Sequence, residues 1–168
     1  IGALCMSKGK ILVTDSLFIF EEHIVSLEAA GYEVERLDLP NASEQEVCEA
    51  IKDKVGYILG GTEFVTEKVL GCANNLKAIS VCGIDYKHFV PAWKFATEKG
   101  VAISNAPDGP THAVAEWSIA AALSMNRGFF ELGSFGKKDF LTTSGLEGQR
   151  VGIVGLGRIG RKISEMLE

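Results

Sequence analysis

The run Val151-Gly152-Ile153-Val154 passes directly into Gly155-Leu156-Gly157-Arg158-Ile159-Gly160, and Arg161 to Leu167 follows with helical spacing. Three glycines in the order G-x-G-x-x-G, with a strand pattern before them and a helix pattern after, admit few folds. Gly155 permits a tight turn. Gly157 lets a pyrophosphate reach the backbone, since any side chain there would intrude, and Gly160 lets the helix pack closely on the strand. The helix then opens with free N–H groups and the positive end of its dipole. The pattern predicts a dinucleotide site formed by Gly155, Gly157, Arg158, Ile159 and Gly160. The alternative is a ligand-free strand–helix turn, which the agreement of strand, spacing and helix disfavours. The acidic residue that would hold the adenosine ribose belongs ~20 residues past the glycines. The sequence ends at Glu168, so the residue that tells NAD from NADP is not among these; NAD is the expected cofactor, with NADP open.

Upstream, apolar runs alternate with helical patterns. Strands are predicted over Lys10–Thr14, Tyr32–Leu37, Val55–Leu59, Leu76–Val81 and Val101–Ser104. Helices are predicted from Phe20 to Ala30 with a glycine stop at Gly31, from a Ser43/Glu46 capping box through Ile51, over Thr66–Leu70, and as one stretch between Tyr86 and Lys99. This rhythm implies βαβ units and a parallel sheet covered on both faces, a flavodoxin-like α/β domain over residues 10–110. Residues 113–123 are apolar nearly all round, so a helix over 111–130 should be buried between domains or subunits. The predicted linker covers 131–148, and residues 149–168 begin a Rossmann domain at a new strand, Arg150–Val154. Residues 1–9 are read as a start segment, with Met6 resembling a natural first residue.

Composition narrows the function classes. Of 168 residues, 17 are Lys or Arg and 22 are Asp or Glu, giving a net charge of −5 with the signs interspersed. No nucleic-acid partner is expected from that balance. No run reaches the roughly 18 apolar residues a bilayer span requires, so no membrane partner is expected either. Cys5, Cys48, Cys72 and Cys82 are too scattered to ligate a metal, and they read as reduced thiols of a cytoplasmic protein.

An α/β half, an apolar crossing helix and a glycine turn in this order resemble the D-isomer-specific 2-hydroxyacid dehydrogenases, the phosphoglycerate dehydrogenase-like family. The matching stretches are Asn74–Ser80, Asn105-Ala106-Pro107-Asp108-Gly109, Val114-Ala115-Glu116 and Leu146 to Arg161. The resemblance implies that backbone N–H groups of two strand-end loops, Gly60-Gly61-Thr62 and Cys82-Gly83-Ile84, hold the carboxylate of a small 2-hydroxy or 2-keto acid. It also implies that Val114 borders the nicotinamide. Independently, ligands of open parallel sheets bind at the carboxyl ends of strands, where glycine exposes N–H groups to an anion.

Two departures accompany the resemblance. After Gly83 the family has a Gly/Asp/Asn/Asp-rich turn, whereas this chain reads Asp85-Tyr86-Lys87-His88-Phe89-Val90-Pro91-Ala92-Trp93. The family's Arg and its His–Glu acid/base pair follow the Rossmann glycines, so no catalytic residue is expected in this chain. His23, His88 and His112 do not match the catalytic position. The expectation is therefore part of an NAD(P)-dependent oxidoreductase, associating as a homodimer. A catalytically inactive paralogue that dimerises or binds a small anion is the alternative. A receiver or FMN domain is disfavoured, because it has no place for the residues after 111.

Overall fold

The computed structural model describes residues 7–14, 19–129, 143 and 145–168. The chain divides into two compact units, Ile1–Pro107 and Asp108–Glu168. The first unit carries strands β1 (Lys10–Thr14), β2 (Glu33–Leu37), β3 (Lys54–Leu59), β4 (Ala78–Val81) and β5 (Ala102–Asn105). Helices α1 (Glu21–Ala29), α2 (Glu44–Ala50), α3 (Glu67–Cys72), α4 (Tyr86–Phe89) and α5 (Trp93–Glu98) lie between them in sequence. All strand pairs are parallel, in the order β2-β1-β3-β4-β5. That is the doubly wound order in which the chain reverses direction between β1 and β3. Predicted strand and helix positions hold to within one or two residues, except where stated below.

The helix ends show why. Ser43 Oγ accepts from the Glu46 N–H at 3.3 Å, while Glu46 Oε2 accepts from the Ser43 N–H at 2.8 Å, closing the predicted box. Thr66 caps α3 in the same sense, taking the Val69 N–H. After α1, Gly31 adopts φ +94°. The Gly31 N–H then reaches the Glu28 carbonyl and the Tyr32 N–H reaches that of Leu27. This Schellman closure needs a left-handed residue that glycine supplies without strain. The stretch Tyr86–Lys99 is two helices rather than one. Pro91 separates them, because its ring clashes with a preceding helical turn and pushes Val90 out of the α region, to φ −119°.

Side chains alternate across the sheet. Leu12, Tyr57, Leu59, Ile79 and Val81 face a large core with Val47, Ile51, Val69 and Leu70 of the α2–α3 region. Ile11 and Val13 point the other way, against Ile24 of α1. The second face is covered less fully than expected: Ala78, Ala102 and Ser104 are exposed, and such short side chains bury little apolar area. At the amino ends of β1 and β3, the Lys54 side chain is only 3% exposed yet carries a charge. It is paired with Glu35 at 2.8 Å and with Asp53, and Lys10 bridges the same two carboxylates at 2.7 and 3.1 Å.

These pairings set an acid limit on stability. Hydrogen bonds from Lys10 and Lys54 hold the Glu35 carboxyl below its usual range, and those from Lys54 and Lys10 bring Asp53 to about 2. A carboxyl depressed on folding stabilises the fold above its unfolded pKa of roughly 4, and that contribution is lost as the pH falls toward the folded value. The thermal midpoint is therefore expected to be flat near neutrality and to drop between about pH 4 and pH 2. Glu35→Gln should lower the midpoint at pH 7 and flatten the acid slope. A midpoint indifferent to both pH and substitution would show that the network contributes nothing.

The second unit holds α6 (Thr111–Asn126) and α7 (Arg158–Leu167), which pack on each other. Of α6, only Ala115 is buried; Trp117 and Met125 are 72% and 73% exposed. The predicted burial of this helix is thus not provided by the described residues. Residues 150–154, predicted as a strand, are irregular, and Val151 and Val154 are exposed. A parallel strand is defined by its ladder, and among the described residues none runs beside this segment. Most of the predicted linker and the first six residues of the start segment lie outside the described residues.

Candidate functional site

Within the first unit, β3 and β4 are neighbours, with Leu59 opposite Val81. Their carboxyl ends bring the two predicted loops side by side. The Cys82 N–H donates to the Leu59 carbonyl at 2.9 Å, so the second loop starts one bond beyond the ladder. Gly83 and Ile84 are fixed from the β5 side: the Ala106 N–H reaches the Gly83 carbonyl at 2.9 Å, and Asn105 Nδ2 reaches that of Ile84 at 2.6 Å. On the first loop, Thr62 Oγ1 donates to Asn41 Oδ1 at 2.7 Å. Past both loops, the Val65 N–H donates to the Phe89 carbonyl at 2.8 Å. These anchors leave the N–H groups of Gly61, Thr62, Gly83 and Ile84 unused by any hydrogen bond among the described residues. A Cβ at Gly83 would meet no atom within 4 Å, so the space above the backbone there is open. Burial pushes the Cys82 thiol above its ordinary pKa, so it adds no negative charge beside the N–H groups at neutral pH.

The Asp85-to-Trp93 departure takes a definite form. Asp85 Oδ1 accepts from the Lys87 and His88 N–H groups at 3.1 and 3.2 Å, starting α4 directly after the loop. His88 then stands edge-on to Phe64 and Phe89, with centroid separations of 5.4 and 4.9 Å. Sequence reasoning missed Phe64 and the residue before it, Glu63, which is 5% exposed. The signal was the alternation Thr62, Glu63, Phe64, Val65, in which 63 and 65 take the inward positions.

The second unit gathers the glycine motif. Gly155 sits at φ +98°, a turn conformation that glycine adopts without strain. Gly157 is the N-cap of α7, extended at φ −76° and ψ −164°, with no side-chain cap. A Cβ there would meet nothing within 4 Å, whereas one on Gly160 would lie 2.1 Å from the Gly155 oxygen. Gly160 is therefore the close-packing position and Gly157 the open one. A cleft of about 570 Å³ opens at this end of α7, lined by Gly157, Arg158, Arg161, Lys162, Asp108 and Thr111 among others. Arg158 Nε is 2.7 Å from Asp108 Oδ1, an exposed pair, and Arg161 Nε donates to the Leu156 carbonyl. Ile159 is half-buried. Val114, 37% exposed, lies in the first turn of α6 with its N–H on the Pro110 carbonyl. His112 also lies in the first turn of α6, 3.2 Å from Glu116 in an exposed pair one turn apart. Among the described residues no group of three or more His, Cys, Asp and Glu could hold a metal ion.

A doubly wound sheet with open loops at its carboxyl edge, and a separate glycine turn opening a helix, make this an α/β protein. The comparisons place it further. The D-isomer specific 2-hydroxyacid dehydrogenase catalytic domain matches residues 11–149, and the chain belongs to that family. D-3-phosphoglycerate dehydrogenase of Methanocaldococcus jannaschii is 35% identical over 163 residues, covering 92% of this chain and 29% of that protein. Glyoxylate reductase of Thermofilum pendens is 33% identical over 128 residues, covering 70% and 37%. The cofactor(NAD+)-bound 3-phosphoglycerate dehydrogenase of Entamoeba histolytica superposes with a TM-score of 0.77 at 22% identity, covering 95% of this chain and 50% of that one, a likeness of fold. The chain thus spans well under half the length of the curated relatives it matches.

Proposed function

We propose that this chain contributes the substrate-carboxylate loops and the pyrophosphate turn of a nicotinamide-dependent dehydrogenase acting on a D-2-hydroxy acid. The observation that carries this is the contrast within the glycine motif: Gly160 is locked against the Gly155 carbonyl, while Gly157, at the uncapped start of α7, faces open space. An unfilled position above free helix N–H groups fits a pyrophosphate. Gly155, Gly157, Arg158, Ile159 and Gly160 would hold that group, and Val114 would border the nicotinamide. Arg158 would exchange Asp108 for phosphate, a stronger, charge-assisted contact. When bound, the cofactor supplies the hydride acceptor or donor. The N–H groups of Gly61, Thr62, Gly83 and Ile84 would orient the substrate carboxylate, with Gly60 and Cys82 shaping the two loops; the Cys82 N–H, expected as a donor, is instead spent on the Leu59 carbonyl. NAD is preferred, as the Entamoeba histolytica enzyme is described with NAD+; NADP remains open. The acid/base pair is assigned outside this chain, since His112 and Glu116 are an exposed helical pair.

The exposed Trp117 and Met125 on α6 are assigned to a second copy. Among the described residues no helix is long and apolar enough to cross a membrane. The proposed compartment is the cytoplasm, where Cys48, Cys72 and Cys82 would stay as the free thiols they are here.

The test is spectrophotometric. The full-length protein should oxidise NADH with glyoxylate or a three-carbon 2-keto acid, and the purified 168-residue chain should not. It should elute as a dimer on sizing. Turnover by the chain alone would bring His112 and Glu116 into the mechanism, and absence of NADH binding would remove the dehydrogenase reading. A monomer would remove the second copy.

A further inference from the structure

Beneath the Gly60-Gly61-Thr62 loop lie three buried polar side chains that the proposed reaction does not use. Thr14 ends β1, Tyr57 lies in β3 and Glu63 directly follows the loop; they are 0%, 1% and 5% exposed. The Tyr57 hydroxyl donates to Glu63 Oε1 at 2.8 Å, and the Thr14 hydroxyl donates to the same oxygen. The two hydroxyl oxygens are 3.3 Å apart. Glu63 Oε2 is buried and accepts no hydrogen bond among the described residues.

A buried carboxylate is a poor core filler, because it must be desolvated and only part of that loss is returned by its hydrogen bonds. Its position suggests what it does instead. Thr14 and Leu59 are register partners on adjacent strands, so Glu63 ties the end of the loop to both strands at once. The loop's other end is held where the Leu59 carbonyl takes the Cys82 N–H, and Val65 is bound to the Phe89 carbonyl. Between these points stand two glycines, the residues with the most backbone freedom to lose. Without a fixed far end, the Gly61 and Thr62 N–H groups would point in many directions.

We propose that Glu63 is a positioning residue: its carboxylate, clamped by the Thr14 and Tyr57 hydroxyls, holds the Gly60-Gly61-Thr62 loop with its N–H groups aimed at the substrate carboxylate. This rests on the reading of that loop as a carboxylate site. The open Oε2 makes glutamine the informative replacement. Its amide oxygen can take both hydroxyls, and its nitrogen occupies a place where no donor opposes it.

Two measurements separate this role from simple core filling. In the 168-residue chain, backbone amide order parameters at Gly61 and Thr62 should fall from the rigid range near about 0.85 to below about 0.6 in Glu63→Leu, while the strands stay rigid. In the full-length protein, with glyoxylate as probe, Glu63→Leu should raise KM about tenfold and leave kcat within about twofold, the pattern of lost binding rather than lost chemistry. Glu63→Gln should match the unmodified protein in both. Thr14→Val, which removes one donor and keeps the carboxylate, should shift both in the same direction by less, and it serves if Glu63→Leu does not fold. Unchanged order parameters and KM in Glu63→Leu, or Glu63→Gln losing kcat and KM together, would overturn the proposal. If the unmodified protein reduces no 2-keto acid, the dehydrogenase reading falls, and the order parameters still decide whether Glu63 holds the loop.

Discussion

A Gly157→Val protein is expected to fold normally and to lose NADH binding by at least about a hundredfold, as a steric block at a pyrophosphate cradle implies. The fold should survive for two local reasons. The backbone at Gly157 is extended, a region that valine favours, and a Cβ built there touches no other atom. Valine is a poorer N-cap than glycine, which costs α7 about 1 kcal/mol at most. Binding should fail because the branched side chain fills the space between the first-turn N–H groups and an incoming phosphate. Fluorescence titration with NADH beside a thermal melt reads the two effects separately in the full-length protein. Normal NADH affinity in a folded Gly157→Val protein would mean that the open space at Gly157 is not a cofactor site.

What a sequence discloses depends on the range of the interactions involved. The parallel sheet was legible because each element announces itself locally: the Ser43/Glu46 box and the Gly31 stop are read within four residues, and the structure uses both. The split at Pro91 is equally local, since proline rejects a helical predecessor whatever the tertiary context. The Arg150–Val154 segment is the opposite case. Its apolar residues carry the strand signal, but a strand needs neighbouring backbone, and the described residues offer it none.

The loops follow the same division. Glycines after β3 and β4 are visible in the sequence, and parallel-sheet topology places them together, as the Leu59–Cys82 bond confirms. What stabilises the first loop was not visible. Thr14 and Glu63 are 49 residues apart in sequence, and Tyr57 lies between them. Only the strand register brings their oxygens to one point. Likewise, the apolar composition of α6 predicted burial, but composition cannot say which surface does the burying, and within the described chain Trp117 stays in solvent.

Gly160→Ala is the counterpart of Gly157→Val and should fail in the opposite way. Its Cβ would stand 2.1 Å from the Gly155 carbonyl oxygen and 3.3 Å from Ile153 Cγ2. The first contact is with backbone in a tight turn at φ +98°, which cannot rotate aside as a flexible side chain could. To admit one methyl group, α7 must move off the turn, and the expected loss is about 3 kcal/mol or more, the upper range for overpacking. The loss should be local. Amide exchange should accelerate over Arg158–Leu167, where the helix depends on its seat on the turn, while the amides of β1, β3 and β4 in the other unit keep their protection. NADH affinity should fall as a consequence of the displaced helix, so here binding and helix protection decline together, whereas in Gly157→Val they part. Protected α7 amides in Gly160→Ala would show that the turn can relax around a methyl group and that Gly160 is not the residue that fixes helix to turn.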